Sequence, residues 1–171
     1  MKYSLKRHLL VEATQPLDAF QEMLATSVTS SSFDGYADTF ILQQGECLVI
    51  LEIHIDDFEQ GNKAWVNSVH TTDSQGKPSE GCYRKGYAAQ MMSRLTRAAD
   101  QHGITLELIA APPPRLKRSL PSLPDKDELA KFYAKHGFLE TKRNMAQVYM
   151  RREPQSSKPS HHFAINNRGQ Q

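Results

Sequence analysis

The run from Ala64 to Ala110 constrains the fold of this chain more than any other stretch. AWVNSVHTT (64–72) has the composition of a strand, and DSQGKPSEG (73–81) is a loop with two glycines and a proline. Ala88, Met91, Met92, Leu95, Ala98 and Ala99 then recur at i, i+3, i+4 and i+7, the spacing of one helix face. Gly103 follows as a helix stop, and ITLELIA (104–110) is apolar on both faces, as a buried strand is. Strand, loop, helix and strand in that order predict a right-handed crossover with the two strands parallel.

The segments on either side add elements that such a unit can pair with. Tyr3, Leu5, Leu9 and Val11 alternate, which predicts a first strand; Thr14 offers an N-cap and Pro16 suits the first turn of a helix running to about Val28. SVTSSSFDG (27–35) reads as a loop. YADTFILQQ and CLVILEIHI flank a two-residue turn at Gly45–Glu46, and FEQGNK (58–63) makes a second turn, so residues 36–72 predict an antiparallel meander. APPPRLKRSLPSLP (111–124) interrupts the pattern, DKDELAKFYAKHGF (125–138) is a helix ending at Gly137, and FLETKR and AQVYMRR are two closing strands. EPQSSKPSHHFAINNRGQQ has no apolar periodicity and is expected to be a flexible polar tail, so the division is a domain over 1–153 and a tail over 154–171.

Composition excludes several classes. The formal net charge of +2 is too mild for a dedicated nucleic-acid-binding protein, which concentrates a basic excess on one face. No segment approaches the roughly 20 consecutive apolar residues of a membrane span. The N-terminus lacks the apolar stretch of a signal peptide. Two cysteines, Cys47 and Cys82, make no disulfide framework and have no metal-ligand spacing, so a reducing compartment, free thiols and a cytoplasmic location are expected. His161 and His162 lack the partners a metal site needs, and no metal is expected.

YRKGYAAQMM (83–92) carries the chemistry. A helix begins with free backbone N–H groups and a partial positive charge, and small side chains there let a pyrophosphate approach. Gly86 clears the turn, Ala88 and Ala89 keep the first helical turn open, and Arg84 and Lys85 bring charge to the rim. A P-loop is excluded because Gly86 is followed by Tyr87 and not by Lys, and a dinucleotide fingerprint because only Gly81 and Gly86 are close. The plainer alternative is that the small residues serve helix–sheet packing.

The order of elements resembles that of the GNAT N-acetyltransferase superfamily over about residues 1–152. YRKGYA (83–88) matches the second half of that family's pyrophosphate loop, Q/R-x-x-G-x-G/A, and FYAKHGF (132–138) is similar to its FYxKxGF segment, followed by VYMRR as a closing strand. Tyr83 stands where the family has Gln or Arg, and Lys126 where many members have Asn; the connection before the loop is longer than is common. The resemblance implies an α/β (α+β) fold: a mixed, mostly antiparallel sheet of about six to seven strands flanked by helices, with a splayed parallel pair. It implies an acyltransferase that moves an acetyl group from acetyl-coenzyme A to an amine of a small molecule or protein. The backbone of Val69, His70 and Thr71 would hold the pantetheine arm, and Arg84, Lys85, Gly86, Tyr87, Ala88 and Ala89 the pyrophosphate.

In that scheme Tyr133 protonates the departing thiolate; a phenol, with an ordinary pKa of about 10, keeps its proton at neutral pH. The alternative for Tyr133 is a buried ring beside Phe132 that supports packing. His70 is the first candidate for a general base, Glu52 and His54 on the preceding strand are others, and each has an ordinary surface or packing role as its alternative. Cys82, with no base beside it, is expected to be a plain thiol and not a nucleophile. Arg115, Lys117 and Arg118 in the proline-rich loop suit an anionic acceptor or an acidic surface. The rival reading is a catalytically silent GNAT-like domain that senses a coenzyme or binds a partner, as an inhibitor or beside nucleic acid. The acceptor and oligomeric state stay open, a homodimer included; no membrane partner is expected.

Overall fold

A computed structural model describes residues 15–33, 37–55, 62–112 and 123–155. Among the described residues the elements are α1 (Pro16–Thr26), β1 (Ser30–Phe33), β2 (Asp38–Gln44), β3 (Cys47–Ile55), β4 (Lys63–Asp73), a 3-10 turn (Glu80–Cys82), α2 (Tyr87–His102), β5 (Thr105–Ala110), α3 (Lys126–Ala134), β6 (Leu139–Arg143) and β7 (Val148–Arg152). The strands form a seven-stranded sheet in the order β1-β2-β3-β4-β5-β7-β6. Only β4 and β5 run parallel, joined through α2 as the crossover predicts; the other neighbours are antiparallel. The expected α/β architecture, mixed and mostly antiparallel with one parallel pair, is the observed one.

Strand register assigns the two faces. Phe40 faces Leu51, Ile53 faces Val66, Val66 faces Leu108 and Leu108 faces Met150, so these side chains share one face of the sheet. That face is buried against Phe20 and Leu24 of α1, Met91, Met92 and Leu95 of α2, and Ala130 and Tyr133 of α3, as one continuous core. Each fully buried Leu, Ile, Phe or Met contributes about 1.5–3 kcal/mol relative to exposure. The opposite face carries His54, Trp65, Glu107 and Arg151 in register with one another, and all four keep solvent contact.

Three local devices hold the helices on the core face. Asp125 caps α3: its carboxylate accepts from the N–H groups of Asp127 and Glu128, while the Glu128 side chain accepts from the Asp125 N–H, a complete capping box. Gly137 ends the same helix at φ +85°, and a Cβ there would meet Arg152 Nε at 3.1 Å. Arg152, only 4% exposed, uses that space. Its guanidinium donates to both Asp100 oxygens at 2.7 and 2.8 Å and to the His136 carbonyl at 2.9 Å, joining β7, α2 and the end of α3.

Some sequence expectations change. Residues 27–35 were expected as loop, yet Ser30–Phe33 pair with β2 as an edge strand whose four residues are all exposed. Three of the four are serines and only Phe33 meets an apolar ring, edge-on to Phe40 at 6.0 Å, so no apolar alternation marks the strand. Helix α1 stops at Thr26 rather than near Val28, because the Ser27 hydroxyl and N–H both bond the Leu24 carbonyl. Cys47 and Cys82 are not free thiols: they form a disulfide that ties the start of β3 to the 3-10 turn. Two cysteines 35 positions apart in sequence carry no spacing signal, and only the fold brings them together. Cysteine usage therefore gives no support to a reducing compartment, although no helix among the described residues is long and apolar enough to cross a membrane. The expected first strand, the Thr14 cap, most of the 58–63 turn, Arg115, Lys117 and Arg118, and the tail histidines lie outside the described residues.

Loop closure in the unfolded chain gives a cross-link of this span about 4 kcal/mol of stability. The double variant Cys47→Ser/Cys82→Ser is expected to unfold in urea with a free energy lower by roughly that amount, and an unchanged midpoint would show that the cross-link does not form.

Candidate functional site

The site begins with a count that does not match. On β3, Glu52 and Ile53 are adjacent, but their partners on β4 are Ser68 and Val66, so Asn67 is an extra, bulged residue. A bulge bends its strand and increases the local twist. β4 pairs with β5 only from Lys63 to Val66, and the ladder ends one residue before the bulge. From Asn67 to Asp73, β4 keeps β3 on one side and has no strand on the other among the described residues. The result is a fork in the sheet beyond Val66. Val69, His70 and Thr71 lie on this arm. Val69 and Thr71 point to the helical face, in register with Leu51 and Val49, and His70 points to the open face.

Past the arm, the Asp73 carboxylate accepts from the N–H groups of Gln75 and Lys77 and turns the chain back, and the 3-10 turn follows. The loop then curls through two left-handed residues, Arg84 at φ +59° and Gly86 at φ +79°. Left-handed backbone costs a residue with a Cβ roughly 1–2 kcal/mol, so glycine at 86 is the low-cost choice. Nothing lies within 4 Å of where a Gly86 Cβ would be, so the position is open as well as left-handed. Gly86 is the N-cap of α2 and no side chain caps it, which leaves the N–H groups of the first turn, Tyr87, Ala88 and Ala89, without a side-chain acceptor. Lys85 is exposed beside this turn and has no ion-pair partner among the described residues. Tyr87 packs against the core and anchors the turn. The disulfide at Cys82 holds the approach to the loop against the sheet.

Tyr133 approaches from the helical face, on α3 over β5 and β7. It is 7% exposed, with Phe132 and Phe138 edge-on at 5.2 and 5.9 Å. Its hydroxyl has no hydrogen-bond partner among the described residues, and burial pushes its pKa up to about 12. His70 is held on the open face, where burial lowers its pKa against an opposing pull from Glu52. The structure thus sets Tyr133 and His70 on opposite faces of the sheet. His54 lies on the open face with Glu52, beside Trp65.

Sequence reasoning missed several of these parts. Ser68 bonds Glu52 at 2.9 Å and lies 3.3 Å from His70 Nδ1, a contact visible only once β3 and β4 are in register. Asn67 has no signature short of that register. Lys126 donates to the carbonyls of Asn144 and Met145 at 3.1 and 2.8 Å, so it supports the turn between β6 and β7. The capping box at Asp125 was missed as well, although Asp followed three residues later by Glu is its sequence signature. A concavity of about 190 Å3 opens beside the fork on the open face, lined in part by Trp65, Glu107 and Tyr149. Another of about 570 Å3 runs between α2 and the end of α3. Among the described residues no group of three His, Cys, Asp or Glu side chains could hold a metal ion.

A mostly antiparallel seven-stranded sheet with one parallel pair and helices packed on it is consistent with a GNAT-like fold. No protein-family model matches the chain, and no curated protein is detectably similar to it in sequence. Among solved structures the chain is similar to the anti-CRISPR protein AcrVA5, at 14% identity and a TM-score of 0.43, over 66% of this chain and 96% of that one. That likeness is too distant to carry a functional argument.

The raised Tyr133 pKa has a measurable consequence. Between about pH 10 and 12 the unfolded chain loses this proton while the folded one keeps it, so stability falls as pH rises, by roughly 1.4 kcal/mol per pH unit from this group. Tyr133→Phe is expected to lose less stability than wild type across that window in urea titrations. Parallel losses in the two proteins would mean that Tyr133 titrates as an exposed phenol does.

Proposed function

We propose that the chain is an acetyl-coenzyme A-dependent N-acetyltransferase that passes the acetyl group directly from thioester to amine. The carrying observation is the continuity of the fork with the uncapped start of α2: an unpaired strand edge leads through a left-handed loop to exposed backbone N–H groups. An extended amide-bearing chain that ends in a pyrophosphate complements both parts. Its amides would pair with the free edge of β4 at Val69, His70 and Thr71, as an added strand does. Its phosphates would sit on the N–H groups of Gly86, Tyr87, Ala88 and Ala89, where the helix dipole favours negative charge, with Lys85 and Arg84 at the rim.

The two faces of the fork divide the proton chemistry. Tyr133, protonated at any working pH, faces the sulfur side and would donate a hydrogen bond to the thiolate as the C–S bond breaks. A phenol with a pKa near 12 is a weaker acid than a thiol near 8.5. Its contribution is therefore stabilisation of developing charge, and the sulfur takes the second proton of the attacking amine. His70, neutral at physiological pH because burial disfavours its charged form, takes the first proton from the incoming ammonium on the open face. The acceptor would approach past Trp65 and Glu107.

Calorimetric titration with acetyl-coenzyme A tests the cradle. Wild type is expected to bind in the micromolar range and Gly86→Glu, which places a carboxylate before the helix, to lose binding. Gly86→Ala, with open space for its methyl group, should bind at a cost of roughly tenfold or less from backbone strain. Tyr133→Phe should keep the affinity and lose turnover by about a hundredfold. A folded wild-type protein that binds no coenzyme would overturn the reading in favour of a partner-binding module.

A further inference from the structure

We propose that Ser68 and Glu52 are positioning residues that fix the His70 tautomer, with Nδ1 carrying the proton and Nε2 the lone pair aimed at the acceptor; this rests on the N-acetyltransferase reading of the same site. Glu52 on β3 and Ser68 on β4 are directly opposite, and His70 is two residues further along β4 on the same face. The Ser68 hydroxyl donates its only proton to Glu52 Oε2 at 2.9 Å. A hydroxyl with its proton committed has only lone pairs left. The 3.3 Å contact between Ser68 Oγ and His70 Nδ1 must then have the imidazole as donor. A neutral imidazole with Nδ1–H has its acceptor at Nε2, which becomes the basic atom.

The charge environment is consistent with this order. On the open face β3 presents Glu52 and His54, β5 presents Glu107 opposite Trp65 in the paired segment, and β2 presents Thr39 and Ile41, which do not titrate. Glu52 is the group whose charge favours the imidazolium. When an ammonium gives its proton to Nε2, the imidazolium keeps its Nδ1–H on Ser68, and the Glu52 carboxylate balances the new charge through one hydroxyl. The amine lone pair then forms the C–N bond and the C–S bond breaks. One amine proton goes to sulfur, and His70 releases the other to solvent from the open face.

Two measurements on the full chain test this. Long-range 1H–15N correlation spectra of the free protein are expected to show His70 as the Nδ1–H tautomer in wild type and in Ser68→Thr, and a shift toward Nε2–H in Ser68→Ala. In steady-state acetylation of an amine acceptor, Ser68→Ala should lower kcat roughly tenfold or more with an unchanged KM for acetyl-coenzyme A, and Ser68→Thr should restore it. Glu52→Gln should move the acid limb of the kcat profile to lower pH, since the imidazolium loses its counter-charge. An Nε2–H tautomer in an active wild-type enzyme, or a Ser68→Ala variant with wild-type kcat and pH profile, overturns the relay alone. A wild-type protein with the Nδ1–H tautomer and no turnover overturns the enzymatic reading, and the catalytic role of the relay with it.

Discussion

At Asn67, strand β4 carries one residue more than β3 can pair, and the parallel ladder to β5 ends at the residue before it. An extra residue in one strand forces a bend, and a bend here turns β4 away from a parallel neighbour whose ladder was short already. The free edge at Val69–Thr71 follows from the bulge together with the end of β5 at Ala110, and the chain then runs to the Asp73 turn and on to the loop before α2. β5 itself ends at Ala110, two residues past its last pair with β4, so the arm from Val69 to Asp73 also runs beyond the end of its parallel neighbour. Tyr133 lies on the helical face of the sheet, and Glu52, Ser68 and His70 lie together on the other face.

The rest of the molecule keeps the fork open by holding its two arms separately. The arm containing β3 and β4 is packed against α2, which carries α1 beside it, and the arm containing β5 and β7 against α3, with one apolar core beneath both. Arg152 joins the arms at the far end through Asp100 of α2 and the carbonyl of His136. A buried guanidinium is costly unless its donors are satisfied, and these contacts satisfy it with paired geometry. Gly137 makes room for it, so the glycine of the FYAKHGF segment is needed for both its left-handed backbone and its missing side chain. On the loop side the disulfide plays the corresponding part, since it fixes the chain directly ahead of the left-handed turn.

Much of this architecture was legible because it rests on periodicity. The helical spacing of Ala88 to Ala99, the turn at Gly45–Glu46 and the unbroken apolar run at 104–110 announced α2, the β2–β3 hairpin and β5. The parallel pair followed from connection chirality alone. Features that depend on register were not legible. Asn67 is an ordinary polar residue until it is seen to lack a partner, and Ser68 has no role until Glu52 and His70 are brought beside it. The disulfide failed as a sequence inference for the same reason: a pair of cysteines says nothing without the distance between them. β1 escaped because its four residues are exposed and three of them are serines, so no apolar alternation marks the strand.

The central claim is that the arm of β4 beyond the bulge accepts an extended ligand as an added strand. Amide hydrogen exchange along β4, measured with and without saturating acetyl-coenzyme A, tests it most directly. The account predicts slowed exchange confined to the free edge around Val69–Thr71 and to the first turn of α2, with the paired segment Lys63–Val66 unchanged. Equal exchange in both samples at those amides would contradict it.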